Sequence, residues 1–161
     1  MTLSTSRPIA VLAALFLVGM SAPAAAQTRD VRVVDADGAR RALLAAEAEA
    51  KKNGWAMSIA VVDPWGELIG FLRMDGASPG SIDISRAKAR TAARFRRPTK
   101  AFEESVTSGR TAILSFEGVV TVEGGVPIVI GGAVVGAVGV SGASSAQDGL
   151  VAAAGVAAVP R

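Results

Sequence analysis

Two rhythms of apolar and polar residues alternate along this chain. From Asp35 to Gly54, DADGARRALLAAEAEAKKNG places Ala and Leu at helical spacing among Arg, Glu and Lys, which predicts a helix. Asp35 or Asp37 suits its N-cap, Lys51 and Lys52 its negative C-terminal end, and Gly54 the position just past it. From Met57 to Asp63, MSIAVVD is apolar at nearly every position, as in a strand covered on both faces. PWG (Pro64 to Gly66) is turn chemistry, and ELIGFLR (Glu67 to Arg73) predicts a returning strand and a hairpin.

The helical period resumes from Ser81 to Arg97, with Ser81 or Asp83 as its cap and Pro98 ending it. A short helix follows, with Thr99 as N-cap and Gly109 beyond its end. TAILSFEG (Thr111 to Gly118) fits a helical turn or a loop. VVTVE (Val119 to Glu123) predicts a strand, GGVP a turn, and IVI (Ile128 to Ile130) a short strand. Gly131-Gly132 signals a tight hairpin into a long strand from Ala133 to Ser141, and Ser144 or Ser145 caps a last helix reaching Val159. The order α-β-β-α-α-β-β-β-α predicts an α+β fold: an antiparallel sheet with helices packed on it.

Residues 1–26 follow neither rhythm. Arg7 precedes an apolar run, Ile9 to Met20, too short to span a bilayer comfortably, and Ala24 and Ala26 stand in A-x-A spacing before Gln27. This reads as a signal peptide cut after Ala26, leaving a single domain over residues 27–161 that is periplasmic or secreted. No cysteine follows the run, so no membrane anchor is expected.

Composition narrows the chemistry further. Half the residues are hydrophobic, yet only 5 Phe and 2 Trp are aromatic, so the core must rest on Ala, Val, Ile and Leu. There is no Cys and no His, which removes disulfides, thiolates, the commonest metal ligand and the usual general base near neutral pH. A net charge of +3 in an exported chain with few aromatics gives no case for nucleic acid. Without histidine no Ser-His-Asp triad can form, and no two carboxylates have the spacing of glycoside or metal chemistry. The sequence therefore makes no case for hydrolysis, and no metal site is expected.

Three stretches carry candidate chemistry. From Gly124 to Asp148 the chain is rich in glycine, but it has neither the G-x-G-x-x-G nor the Gly-Lys-Ser/Thr spacing of a phosphate loop. Its glycines suit hairpin turns and close packing at Gly136 and Gly139. Gly124, Gly125 and Ser141 could still wall an anion pocket, with Asp148 one turn into the last helix favouring its N-terminus or pairing with a cation. The run from Arg86 to Lys100 holds seven cations and no acid in fifteen residues. Arg86, Arg90, Arg94 and Arg97 form one stripe, readable as a solvated face, a subunit interface or an anion-binding surface. Lys88 lies off that stripe toward the apolar side, where an ammonium needs a partner or a ligand. RMDGASPGSID places Arg73 and Asp75 at a strand end and Ser81 at a helix start. Arg73 and Lys88 would bind an anionic group, with Asp75 orienting Arg73.

The stretch from Trp55 through Thr99, then GGVPI, then GAVGVSGASSAQDGLVAAAG resembles the GlcG/HbpS-type haem-binding-like family, and is also similar to the PduO C-terminal domain. The resemblance spans roughly residues 39–159. It implies an α/β sandwich related to profilin- and PAS-like folds, usually a homo-oligomer. It also implies binding of haem or a related tetrapyrrole as carrier or accessory to a sensor protein, or else binding or turnover of a small organic acid in a catabolic pathway. Haem ligation in PduO-like relatives is associated with a histidine, which this chain lacks. Met57, Met74, Lys88 or a solvent ligand are the remaining axial candidates, and Met74 at the pocket rim is the best placed of the side chains.

Overall fold

The computed structural model describes residues 30–160. The expected signal peptide lies outside the described residues. Within them α1 (Ala36–Lys52), β1 (Ser58–Val62), β2 (Leu68–Arg73), α2 (Pro79–Phe95) and α3 (Lys100–Thr107) follow in order. A 3-10 turn (Thr111–Ser115), β3 (Gly125–Ile130), β4 (Ala133–Ser141) and α4 (Ser145–Ala157) complete the chain. The strands form one antiparallel sheet in the order β2-β1-β4-β3. The fold is α+β.

Alternation along the central strands makes two cores. Ile59, Val61, Val138 and Val140 join Ala42 and Ala46 of α1 and Val151 and Ala152 of α4 on one face. Ala60, Val62 and Ala137 meet Ala89, Ala92 and Ala93 of α2 on the other. The second core is built of small residues, so α2 lies almost on the sheet. A Cβ at Gly139 would collide with the Ser85 carbonyl and the Ala89 backbone nitrogen. That proximity brings the middle of α2 against the end of β4.

Several local expectations hold in detail. The Asp35 carboxylate accepts from the Gly38 N–H at 2.7 Å as the N-cap of α1, and Gly54 follows its C-terminus at φ +70°. Gly131 and Gly132 turn β3 into β4 with φ of +58° and +79°. Ser144 caps α4, its N–H bound to the Gln147 side chain at 3.1 Å.

Three expectations are corrected. Val119 to Glu123 is a connecting segment and no strand. Side chains take the backbone donors that a neighbouring strand would take: Val120 N–H donates to Thr91 Oγ1 and Glu123 N–H to Glu103 Oε2. GGVP is no turn; β3 already begins at Gly125 and runs through Pro127. The strand is at the sheet edge, where a missing N–H is tolerated. α2 begins at Pro79, with Ser78 rather than Ser81 or Asp83 at the cap position. Proline in the first turn gives up an N–H that would have had no helical partner.

The arginine stripe is partly absorbed by the fold. Arg94 Nε donates to the Trp65 carbonyl at 2.6 Å and Arg90 Nε to that of Gly66 at 3.4 Å, tying α2 to the β1–β2 turn. Arg97 stacks 4.0 Å above the Phe102 ring.

Gly139→Ala should cost about 3 kcal/mol or more, because backbone rather than a flexible side chain blocks the new methyl. Gly80→Ala, in the first turn of α2 with nothing within 4 Å, should instead stabilise by about 0.5–1 kcal/mol. Urea denaturation of the two variants checks both signs.

Candidate functional site

Four residues of α2, Asp83, Ile84, Ala87 and Lys88, repeat at helical spacing and face one cleft. Val120 and Val122 of the connecting segment form the facing wall. Ser141 ends β4 at the base, and Ala143, Ser145 and Asp148 come from the turn and first turn of α4. The cleft measures about 430 Å³. A groove of about 990 Å³ beside Trp65, Arg94 and Arg96 is larger, but its lining includes no buried polar side chain. The smaller space, lined by the buried Lys88 and Asp148, is the candidate site.

Its floor is an ion pair. Lys88 Nζ lies 2.7 Å from Asp148 Oδ2, with the two side chains only 2% and 3% exposed. The other carboxylate oxygen accepts from the Ala143 N–H at 3.1 Å. Burial holds the Asp148 carboxyl above the ordinary aspartate range. The hydrogen bond and charge of Lys88, and the backbone N–H groups of Ala143 and Gly142, pull the other way. Gly124 backs the pair at φ +133°; a Cβ there would sit 2.8 Å from both Lys88 Nζ and Asp148 Cβ. An ammonium has three donors, and Asp148 is the one hydrogen-bond partner of Lys88 Nζ among the described residues. The Ser141 hydroxyl has no protein partner among them.

Charge around the cleft is unbalanced. Asp83 lines it, Glu103 accepts from Ser145 Oγ at 3.1 Å, and Glu123 pairs with Lys100 at 3.3 Å. With Lys88 and Asp148 cancelling, acids outnumber bases at the rim.

Of the residues singled out from sequence, Lys88, Ser141 and Asp148 come together here, with Gly124 behind them. Gly125 is adjacent, its N–H donating to Thr99 Oγ1 at 2.8 Å, and a Cβ on it would strike the Lys88 carbonyl. Ser81 lies about two turns up α2, where its hydroxyl is 2.8 Å from that of Ser58 and donates to the Ser78 carbonyl. Arg73 and Asp75 do not line the cleft. The Arg73 guanidinium is held by the Ala77 carbonyl at 2.8 Å rather than by Asp75, which corrects the expected ion pair. Arg73 and Lys88 do not line a common cleft. Val120 and Val122 went unnoticed because their alternation reads as a strand. Glu103 carries no sequence signal of its role, since Ser145 meets it from 42 positions away.

These residues do not fit an axially ligated haem. Met57 is fully buried in the core and Met74 packs against that same core; neither lines the cleft. Lys88 is engaged with Asp148. Among the described residues no group of three or more Asp or Glu is placed to hold a metal ion.

A family model described as haem degrading protein HbpS-like matches residues 34–157. Protein GlcG of Escherichia coli K12 is 50% identical over 99 residues, covering 62% of this chain and 74% of that protein. The structure of a double mutant of Streptomyces reticuli HbpS superposes with a TM-score of 0.79 at 33% identity, over 87% of this chain and 96% of the other. A PduOC:Heme complex superposes with a TM-score of 0.71 at 26% identity, over 79% and 95%.

Removing Lys88 leaves a buried carboxylate without its cation. Lys88→Met should cost about 3–5 kcal/mol near pH 8. Its loss raises the folded Asp148 pKa further above the unfolded value of about 3.9. The folded state then keeps a proton that the unfolded state has released, so stability falls as pH rises through that window. The destabilisation should be smaller near pH 5 than near pH 8, and adding Asp148→Asn should erase the difference. Thermal unfolding at the two pH values checks it; an equal loss at both would contradict the account.

Proposed function

The chain belongs to the HbpS-like family, and from that premise we propose that it is an exported small-molecule-binding protein whose ligand lies in the cleft above Lys88 and Asp148. One observation carries the reading: a buried ammonium with unclaimed donors lines the same cleft as a free hydroxyl, Ser141, under apolar walls. That arrangement suits a small organic molecule with an oxygen acceptor at one end and an apolar body along Ile84, Val120 and Val122. The excess of acid at the rim favours a head group that carries no net negative charge into the site. Export rests on Arg7, the apolar run and the Ala24-x-Ala26 spacing. Assembly into a homo-oligomer fits the large apolar side chains left exposed, Leu114 and Phe116 among them.

Haem is the second reading, favoured by the likeness to a chain solved as a haem complex. The side chains around the cleft support it less well, for want of an axial ligand.

Purified protein of residues 27–161 should gain thermal stability from short-chain ketones and amides. Ile84→Asp and Val122→Asp, at positions 45% and 42% exposed, should fold normally and lose the gain. Haemin should leave the Soret spectrum that of free haemin. A shifted Soret band lost in Met74→Ala, with no response to ketones or amides, would reverse the order of the two readings.

A further inference from the structure

Lys88 has donors for a second acceptor but charge for only one carboxylate. In the free protein that carboxylate is Asp148, 2.7 Å away. The charged groups near Asp148 are Lys88 and Asp83 on α2, Glu103 on α3, and Glu123 of the connecting segment with its partner Lys100. Of the two cations among them, Lys88 is paired with Asp148 and Lys100 with Glu123, so no further cation is left to balance a second carboxylate. An organic acid that laid its carboxylate on Lys88 would therefore put two carboxylates on one ammonium, beside an Asp148 side chain only 3% exposed. Two carboxyl groups so placed do not both remain ionised; one of them holds a proton.

We propose that the cleft takes small monocarboxylic acids together with one proton, the ligand carboxyl and Asp148 sharing that proton over the Lys88 ammonium. The inference rests on the cleft being the ligand site. It specifies the ligand class further, because an organic acid enters as the neutral sum of anion and proton. Ser141 supplies the second donor to the ligand carboxyl, and Ile84, Val120 and Val122 contact its alkyl chain. The proton balance is complete: one proton leaves solvent on binding and returns on release, and no bond other than hydrogen bonds changes.

The test is titration calorimetry of the protein of residues 27–161 with straight-chain acids from propionic to hexanoic and with the matching amides. It is run in paired buffers of different ionisation enthalpy. The acids should weaken about tenfold per pH unit between about pH 7 and 9, with uptake of about one proton per site. The amides, which bring no charge, should bind equally across that range. Asp148→Asn should bind the acids more tightly at the alkaline end and without the pH slope, since the ligand becomes the sole counter-ion of Lys88. If that variant does not fold, the buffer dependence of the natural protein decides alone. Amides that bind while the acids show no pH slope and no proton uptake would overturn this inference and leave the cleft reading standing. Failure of both series to bind would overturn the cleft reading and this inference with it.

Discussion

The contact between Lys88 and Asp148 constrains the rest of the architecture. A buried ammonium cannot stand without its counter-charge, and the counter-charge here comes from an element sixty residues further along the chain. For the two to meet, α2 must lie close enough to the sheet for Lys88 to reach past β4, which Gly139 permits. The chain entering β3 must leave room beside the ammonium, as Gly124 does. The turn after β4 must aim its N–H groups at the carboxylate, as Ala143 does. These features lie on different elements and would look like unrelated small-residue preferences if the pair were not in view.

Such a pair is a poor device for stability alone. Taking both charges out of water costs nearly what their attraction returns, and apolar residues of similar volume commonly do as well. Here the pair lies at the floor of an open cleft, with donors to spare and a free hydroxyl lining the same cleft. A purely structural pair would be expected to use all its donors within the protein. On the proposed reading the unused ones serve a ligand, and the apolar walls and acid rim suit one that is small, partly apolar and not net anionic as it settles.

Much of this was legible in the sequence, for physical reasons that differ by element. The hairpins and caps are local: Asp35 capping α1 and Gly131-Gly132 turning β3 into β4 depend on a few consecutive residues. Lys88 stood out because it broke the arginine stripe toward an apolar face, a conflict that only a partner could resolve. That the partner is Asp148 was not legible, since the contact depends on how α2 and α4 meet across the sheet end. Val119 to Glu123 deceived because its alternation is that of a strand. Its backbone donors are captured by Thr91 and Glu103, neither of which local pattern can bring into view. Arg73 and Asp75 misled in the opposite way. Their nearness in sequence suggested a pair, while the folded loop offers Arg73 a carbonyl first.

The contrast with haem chemistry follows from the same residues. An iron-ligating pocket needs an available lone pair aimed into it, and this chain has no histidine, cysteine or tyrosine to supply one. Met57 and Met74 are used in packing, and the one cleft-lining amine, Lys88, is paired with a carboxylate 2.7 Å away. An amine held in that state donates hydrogen bonds and cannot ligate a metal. Freeing it would strand Asp148, which burial already disfavours as an anion. The fold shared with haem-binding relatives is thus compatible with a different use of the same scaffold. What decides between ligating a metal and recognising an oxygen is whether the polar group at the cleft floor is a bare lone pair or a proton-bearing cation, and here it is the cation.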